Sequence, residues 1–335
     1  MIAPPPPATR RSARLFRASL VASLALSIVA IEVHAQSYPS RPVKLIVPFP
    51  AAGVADLLAR ILAPELGKRW GQPVVVENRT GANTIVGAEM VARAAPDGST
   101  LLLTGDQTVT SNVFLYKLPY DPEKDLIPVS LLTNLQYIFA VNPTVPVNSV
   151  TEYIALAKAK PGVLTYGSSG NGSPQHLAAA LFAQMAGIKL THIPYKGGGP
   201  ATIALLGGEL NSVFGGMSNL IPHARAGKIR ALGVSGSKRL SALPEVPTVA
   251  EAGVPGFNVV SWLGILAPSG VPSEILGKIA ADFNYVLQLP EIQNNLAPQG
   301  FESVGSTPGA FADVIKSDLD KWGKVIKDVG VRPGD

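Results

Sequence analysis

Short apolar runs alternate along this chain with segments whose apolar residues recur every three or four positions. Residues 43–48 read as a buried strand; beyond the loop Phe49-Pro50-Ala51-Ala52-Gly53-Val54-Ala55-Asp56, the residues Leu57, Leu58, Ile61, Leu62 and Leu66 fall at helical spacing. Pro64 interrupts that spacing and is expected to kink or divide the helix. Val74-Val75-Val76 gives a second strand, Ile85, Val86, Met90 and Val91 a second helix, and residues 100–104 a third strand. This βαβαβ order predicts a parallel sheet. Asp106-Gln107-Thr108 follows the third strand, at the end where open α/β sheets bind ligands.

A second series follows a turn-rich stretch at 119–128, a strand at 137–141, and a helix capped by Ser149 that ends near Lys160-Pro161-Gly162. Residues 164–176 read as a short strand, a loop of small residues, and a helix opening at Pro174 behind an N-cap Ser173. Leu177, Leu181, Phe182 and Met185 share one face of that helix. Strands at 190–193, 212–214 and 229–234 alternate with helices over Ile203, Leu205 and Leu206 and over 218–226. The last strong strand is 259–266, and the final helix carries Phe311, Val314, Ile315, Leu319, Trp322 and Ile326. Two α/β series with Gly/Ser loops after their strands predict an α/β protein of two lobes facing a cleft. The chain is expected to cross between them near 136–142 and 258–266, giving 36–138 with 262–335 as one lobe and 139–261 as the other.

The start of the chain changes the charge picture. Arg10, Arg11, Arg14 and Arg17 precede an apolar run at 18–31, and Val33-His34-Ala35 suits signal peptidase. This reads as a Sec-type signal peptide over residues 1–35, cleaved after Ala35, with a periplasmic destination. The apolar run is too short for a membrane anchor, and Arg10-Arg11 fits twin-arginine export poorly. Without those four arginines and Glu32 the net charge falls from +5 to +2, which gives no support for nucleic-acid binding. The chain has no cysteine, which excludes disulfides, thiolate metal sites and a lipid-anchored N-terminus.

In order along the chain stand Ile46-Val47-Pro48-Phe49-Pro50, Val75-Val76-Glu77-Asn78-Arg79, Ala95-Pro96-Asp97-Gly98 and Leu118-Pro119-Tyr120-Asp121-Pro122. Gly170-Asn171-Gly172-Ser173-Pro174-Gln175-His176, Pro194-Tyr195-Lys196-Gly197, Leu206-Gly207-Gly208 and Val246-Pro247-Thr248-Val249-Ala250-Glu251 follow. With these motifs at normal spacing, the chain resembles the periplasmic solute receptors of tripartite tricarboxylate transporters, often called Bug proteins. The resemblance implies a two-lobed, type II-like periplasmic-binding-protein fold that closes on a small carboxylate and delivers it to integral-membrane transporter subunits. It implies a monomer without cofactor or metal. A periplasmic ligand sensor feeding a two-component kinase is the alternative.

By motif, one lobe would contribute Phe49, Ala51, Ala52, Gly53 and Asp56 together with Asp106, Gln107 and Thr108. The other would contribute Ser168, Ser169, Gly170, Asn171, Ser173 and His176, with Lys196, Gly197, Gly215 and Gly216 nearby. The first loop departs from the family's usual Pro-Pro-Gly-Gly-Gly-Thr-Asp: alanine and valine replace glycine, and Ala55 lacks the threonine hydroxyl. Any position there that needs positive φ would be strained. Ala82-Asn83-Thr84 replaces the family's Ala-Gly-Gly, and Gly215 stands where many relatives carry aspartate.

Each candidate also has a plainer reading. The Gly/Ser loop is an anion cradle, built from backbone N–H groups and a helix dipole, or an ordinary loop. His176 donates to a ligand or pins its own loop. Asp56 faces a ligand ammonium or caps its helix, Asp106 forms a turn, and Lys196 attracts an anion or stays solvated. His192 and His223 are assigned no site. A periplasmic hydrolase using Ser168 or Ser169 is the enzyme reading, but no Gly-x-Ser-x-Gly elbow, phosphate loop or metal spacing supports one.

Overall fold

In the computed structural model residues 1–4 and 38–332 are described, and the leader reading lies outside them beyond Pro4. The chain divides into Met1–Ser40 and Arg41–Asp335, and the fold below is that of the second unit. Strands β1 (Val43–Val47), β2 (Val74–Asn78) and β3 (Thr100–Gly105) pair in parallel with β1 between the other two. Helices α1 (Val54–Trp70) and α2 (Ile85–Ala92) make the crossovers. Of the kink or division expected at Pro64, the division does not occur: α1 runs through it. Pro64 and Arg60 lie on the exposed face of the helix, while buried Leu58, Leu62 and Leu66 hold it on the sheet.

A single turn at Asp106–Thr108 and the short helices α3 (Ser111–Leu115) and α4 (Pro122–Asp125) lead into β4 (Leu126–Val141). The strand expected at 137–141 is only the end of β4, whose first residues overlap the stretch read as turns. Its pairing register shifts between Pro128 and Ser130 and again between Leu131 and Thr133, which breaks the two-residue alternation a sequence reading depends on. After α5 (Val150–Ala159), capped by Ser149 as expected, come β5 (Thr165–Ser168), α6 (Pro174–Ala186), β6 (Thr191–Pro194) and α7 (Gly198–Gly207). Then follow β7 (Ser212–Gly216), α8 (Met217–Arg225), β8 (Arg230–Val234) and β9 (Val260–Pro268). Helices α9 (Ser273–Leu287) and α10 (Pro290–Leu296), the short β10 (Glu302–Ser303) and α11 (Pro308–Val329) complete the chain.

The strands run in the order β2-β1-β3-β9-β4-β7-β5-β6, with β8 and β10 also on β4. From Leu126 to Gln136, β4 pairs antiparallel with β9; from Tyr137 to Val141 it pairs with β7 and β8. One strand therefore serves two α/β halves. The first half packs Ile46, Leu102, Leu131, Trp262 and Phe311 together. The second packs Phe139, Tyr153, Phe182, Phe214 and Phe257, with Phe139 stacked on Phe214 at 4.7 Å and edge-on to Tyr153 at 5.0 Å. Truncating such a ring costs about 3–5 kcal/mol. Helix α11 contributes Phe311 to the first cluster and Trp322 and Ile326 to the second. Among the described residues no helix is long and apolar enough to cross a membrane.

Candidate functional site

Where the strands of both halves end, their loops and following helices surround a cavity of about 800 Å³. Ligand clefts typically measure about 300–1,000 Å³. Gln136 and Tyr137 of β4 and Ser261 of β9 line it from the shared strands. Five helices begin on its wall: α1 at Gly53-Val54-Ala55, α2 behind Ala82-Asn83-Thr84, α6 at Pro174-Gln175, α7 at Gly197-Gly198-Gly199 and α8 at Gly216-Met217-Ser218. The first turn of a helix leaves its N–H groups without intrahelical acceptors and carries the positive end of the dipole. Ser173 caps α6, but α1, α2, α7 and α8 have no side-chain cap. Among the described lining residues Lys196 is the one charged side chain. The cavity is thus electropositive through its backbone, with no carboxylate on its wall.

Strain gathers on the same wall. Among the described residues the positive-φ positions other than glycine are Ala52 (61°), Ala82 (44°), Asn83 (51°) and Thr84 (78°), and all four line the cavity. A left-handed non-glycine residue costs about 1–2 kcal/mol, so neighbouring groups must hold it there. Asp56 accepts hydrogen bonds from the Ala52 N–H at 2.8 Å, Asn78 Nδ2 at 2.9 Å and Arg60 Nε at 2.9 Å. Burial raises the Asp56 pKa, but these donors outweigh it and hold the carboxyl below its ordinary range. Asn112 Nδ2 donates to the Asn83 carbonyl and Asn83 Nδ2 to Asn112 Oδ1, both at 2.7 Å, while the Thr84 hydroxyl lies 2.8 Å from that of Thr108.

Of the residues singled out from sequence, the structure brings Phe49, Ala51, Ala52, Gly53, Gln107, Ser169, Lys196, Gly197 and Gly216 together on the cavity wall. The others stand behind it. Asp56 braces the first loop from within, and Thr108 is buried between Thr84 and Thr104. Ser173 is the α6 cap, accepting from the His176 N–H. His176 is buried, and its Nδ1 accepts from the Gly172 N–H at 3.1 Å, so it pins the Gly/Ser loop to its own helix. Tyr116 Oη donates to the Asn171 carbonyl, and Gly170 accepts from Ser168 Oγ. Gly215 lines only a separate void of about 10 Å³, shared with Ser168, and a Cβ there would lie 2.5 Å from Leu220.

Two arrangements escape a linear reading. Ser168 Oγ lies 2.7 Å from His192 Nε2, and the His192 ring stacks on His176 at 3.8 Å. Nothing in the local sequence marks His192, because its partners are 16 and 24 positions away. Asp106 is 1% exposed, and its Oδ1 accepts from Ser261 Oγ at 2.6 Å and from the Gln107 N–H at 3.0 Å. Burial, with a smaller contribution from Asp318, pushes its pKa up to about 7 against the lowering effect of Ser261. Ser261 itself is legible only as a polar residue inside the apolar strand 259–266.

A model of the tripartite tricarboxylate transporter family receptor matches residues 58–331 of the chain. Protein BugT of Bordetella pertussis is 35% identical over 311 residues, covering 92% of this chain and 95% of BugT. The structure of R. palustris Rpa4515 with adipate is similar with a TM-score of 0.85 at 34% identity, over 88% of this chain and 99% of that one. MatC (Rpa3494) from Rhodopseudomonas palustris, with bound malate, gives 0.79 at 32% identity over 86% and 100%. A match over most of the chain, joined to a two-lobed periplasmic-binding-protein fold around one cleft, places the protein in the receptor family of tripartite tricarboxylate transporters.

Proposed function

We propose that the protein captures a small carboxylate in this cleft and hands it to the membrane subunits of a tripartite transporter. The observation that carries the reading is the set of four helix N-termini without side-chain caps on one cavity wall that bears no acidic side chain. Backbone N–H groups and dipoles bind an anion without a fixed cation. Lys196 adds the one side-chain charge, and the apolar Phe49, Ala51, Ala52 and Val54 suit a carbon skeleton. Relatives of the same family hold adipate and malate. The leader pattern at residues 10–35 supports export to the periplasm. Lobes divided at 138/139 and 261/262 agree with β4 changing partners after Gln136 and with β9 beginning at Val260. Ligand binding would then shift the population toward the closed form.

The protein acts without turnover in this reading. Ser168, the serine beside a histidine, is 1% exposed and does not line the large cavity, while Ser169 Oγ, which does, donates to Gln175 Oε1. A thermal-shift screen of refolded protein against aliphatic and aromatic mono-, di- and tricarboxylates tests the proposal. A ligand at 100 times its Kd adds about 2.7 kcal/mol, a Tm rise of about 5 °C for a protein of this size. A panel in which no carboxylate raises Tm would refute it, as would ester or amide hydrolysis lost on Ser168→Ala.

A further inference from the structure

Ser261 is a lining residue whose hydroxyl is tied to a buried acid, Asp106. Asp106 sits on the turn after β3, where Ser261 Oγ and the Gln107 N–H are its hydrogen-bond donors. The titratable groups facing it come from two other elements: Tyr137 from β4, and Asp318 and Lys321 from α11. Asp318 accepts from Trp262 Nε1 at 2.7 Å, and burial raises its own pKa. Burial and the charge of Asp106 hold the Tyr137 phenol well above its ordinary value against the lowering effect of a hydrogen bond with Ser261, so near neutral pH Tyr137 is a protonated neighbour that can occupy one Ser261 lone pair but take no proton from the Ser261–Asp106 pair. Among the described residues no cation forms an ion pair with Asp106.

A serine hydroxyl has a single proton to donate. With Asp106 ionised, that proton is committed to Asp106, and Ser261 offers the cleft only lone pairs. A ligand carboxylate would then face a lone pair with a second anion behind it. With Asp106 protonated, its O–H donates to Ser261 Oγ, and the Ser261 O–H is released to the ligand. Each donor then has an acceptor.

We infer that Asp106 is a positioning residue acting through Ser261, and that binding a carboxylate draws a proton from solvent into the cleft, a fraction that grows toward one as Asp106 is more fully ionised beforehand. The proton ends on the Asp106 carboxylate, and no bond of the ligand changes. This rests on the carboxylate-receptor reading above and adds its thermodynamic partner: the bound species is an anion together with a proton. An anion placed beside Ser261 stabilises the protonated acid, so by linkage carboxylate affinity falls as pH rises through neutrality, by at most about tenfold per pH unit.

The test is calorimetric titration of the protein with adipate and with malate from about pH 6.5 to about pH 8.5, a range in which both ligands stay fully ionised. Repeating it in buffers of different ionisation enthalpy counts the protons. Net uptake and a falling affinity are expected for the native protein. Asp106→Asn, whose amide can donate to Ser261 at any pH, should bind with a flat pH profile and no uptake. Ser261→Ala should lose uptake and bind more weakly at the acid end. Binding without proton uptake in the native protein, or uptake that persists in Asp106→Asn, overturns the inference and leaves the receptor reading standing. Failure of every carboxylate to bind overturns both. Should Asp106→Asn not fold, the native buffer series and Ser261→Ala decide alone.

Discussion

Replacing Asp56 with alanine tests whether the strained first loop is held by one buried carboxylate. The Asp56 side chain is 3% exposed and accepts three hydrogen bonds, from the Ala52 N–H, Asn78 and Arg60. Hydrogen bonds to a charged acceptor contribute about 1.5–3 kcal/mol each. The Arg60 contribution is screened by solvent and adds little to the sum, since that side chain is 54% exposed. Asn78 keeps a second acceptor, the Phe49 carbonyl at 3.1 Å, and exposed Ala52 can turn its N–H to water. The gross loss is therefore about 3–4 kcal/mol. Ala52, no longer held at φ 61°, recovers about 1 kcal/mol of strain. A net destabilisation of about 2–3 kcal/mol follows, measured by urea unfolding near neutral pH. Because the loop also aims the first turn of α1 at the cavity, carboxylate affinity should fall about tenfold, equivalent to about 1.4 kcal/mol. The folded-state pKa of Asp56 is depressed, so its stabilisation is present above the unfolded value and lost as pH falls through the folded one. The gap between Asp56→Ala and the native protein should narrow in acid. A loss below about 0.5 kcal/mol with unchanged affinity would refute the reasoning.

Three further perturbations test other parts of the site. Ala52→Gly should stabilise the protein by about 0.5–1 kcal/mol, because relief of the left-handed strain exceeds the entropy glycine adds to the unfolded chain; a lower Tm would count against the strain. Lys196→Gln should slow carboxylate association and remove most of its dependence on ionic strength, and an unchanged salt slope in stopped-flow binding would show that Lys196 does not steer the ligand. Asp106 is raised to about 7 from 3.8, so its contribution to stability is complete below the unfolded value and lost as pH rises through the folded one. Relative to the native protein, Asp106→Asn should therefore gain stability between acid and alkaline pH, approaching about 4 kcal/mol if the full shift is expressed. Parallel denaturation curves at all pH values would contradict this.

The order of strands and helices was legible because each βαβ crossover leaves a period change, from an apolar run to a spaced apolar face. Ser173-Pro174 also gave the start of α6 correctly, since a cap and an N1 proline are local chemistry. Pro64 misled because what decides its effect is exposure, a tertiary property. Strand β4 was read short because its bulges erase alternation over 126–136. Parts of the cleft wall that are loops after strands were legible, as at Ala51–Gly53 and Ser169. The shared strands' contribution, Gln136, Tyr137 and Ser261, was not, because a polar residue within a strand announces neither its face nor its neighbours. The loop at 82–84 was noted only as unusually polar; its backbone strain became visible with the φ angles.

On the proposed reading, an anion held at helix N-termini would have consequences for how this protein can change over generations. A backbone N–H survives every point substitution except one to proline, so alanine scanning and drift reach the charge-holding part of the cleft only through side chains that aim or tune it, such as Asp56 and Ser261. What drift can alter is the set of side chains between those helix starts: Phe49, Ala51, Ala52 and Asn83, with Gly216 where any Cβ would crowd Val54. The scaffold thereby separates two inherited properties. Affinity for negative charge is carried by the fold, while discrimination between carbon skeletons is carried by a few replaceable side chains. A lineage can exchange one carboxylate for another without passing through an ancestor that binds none.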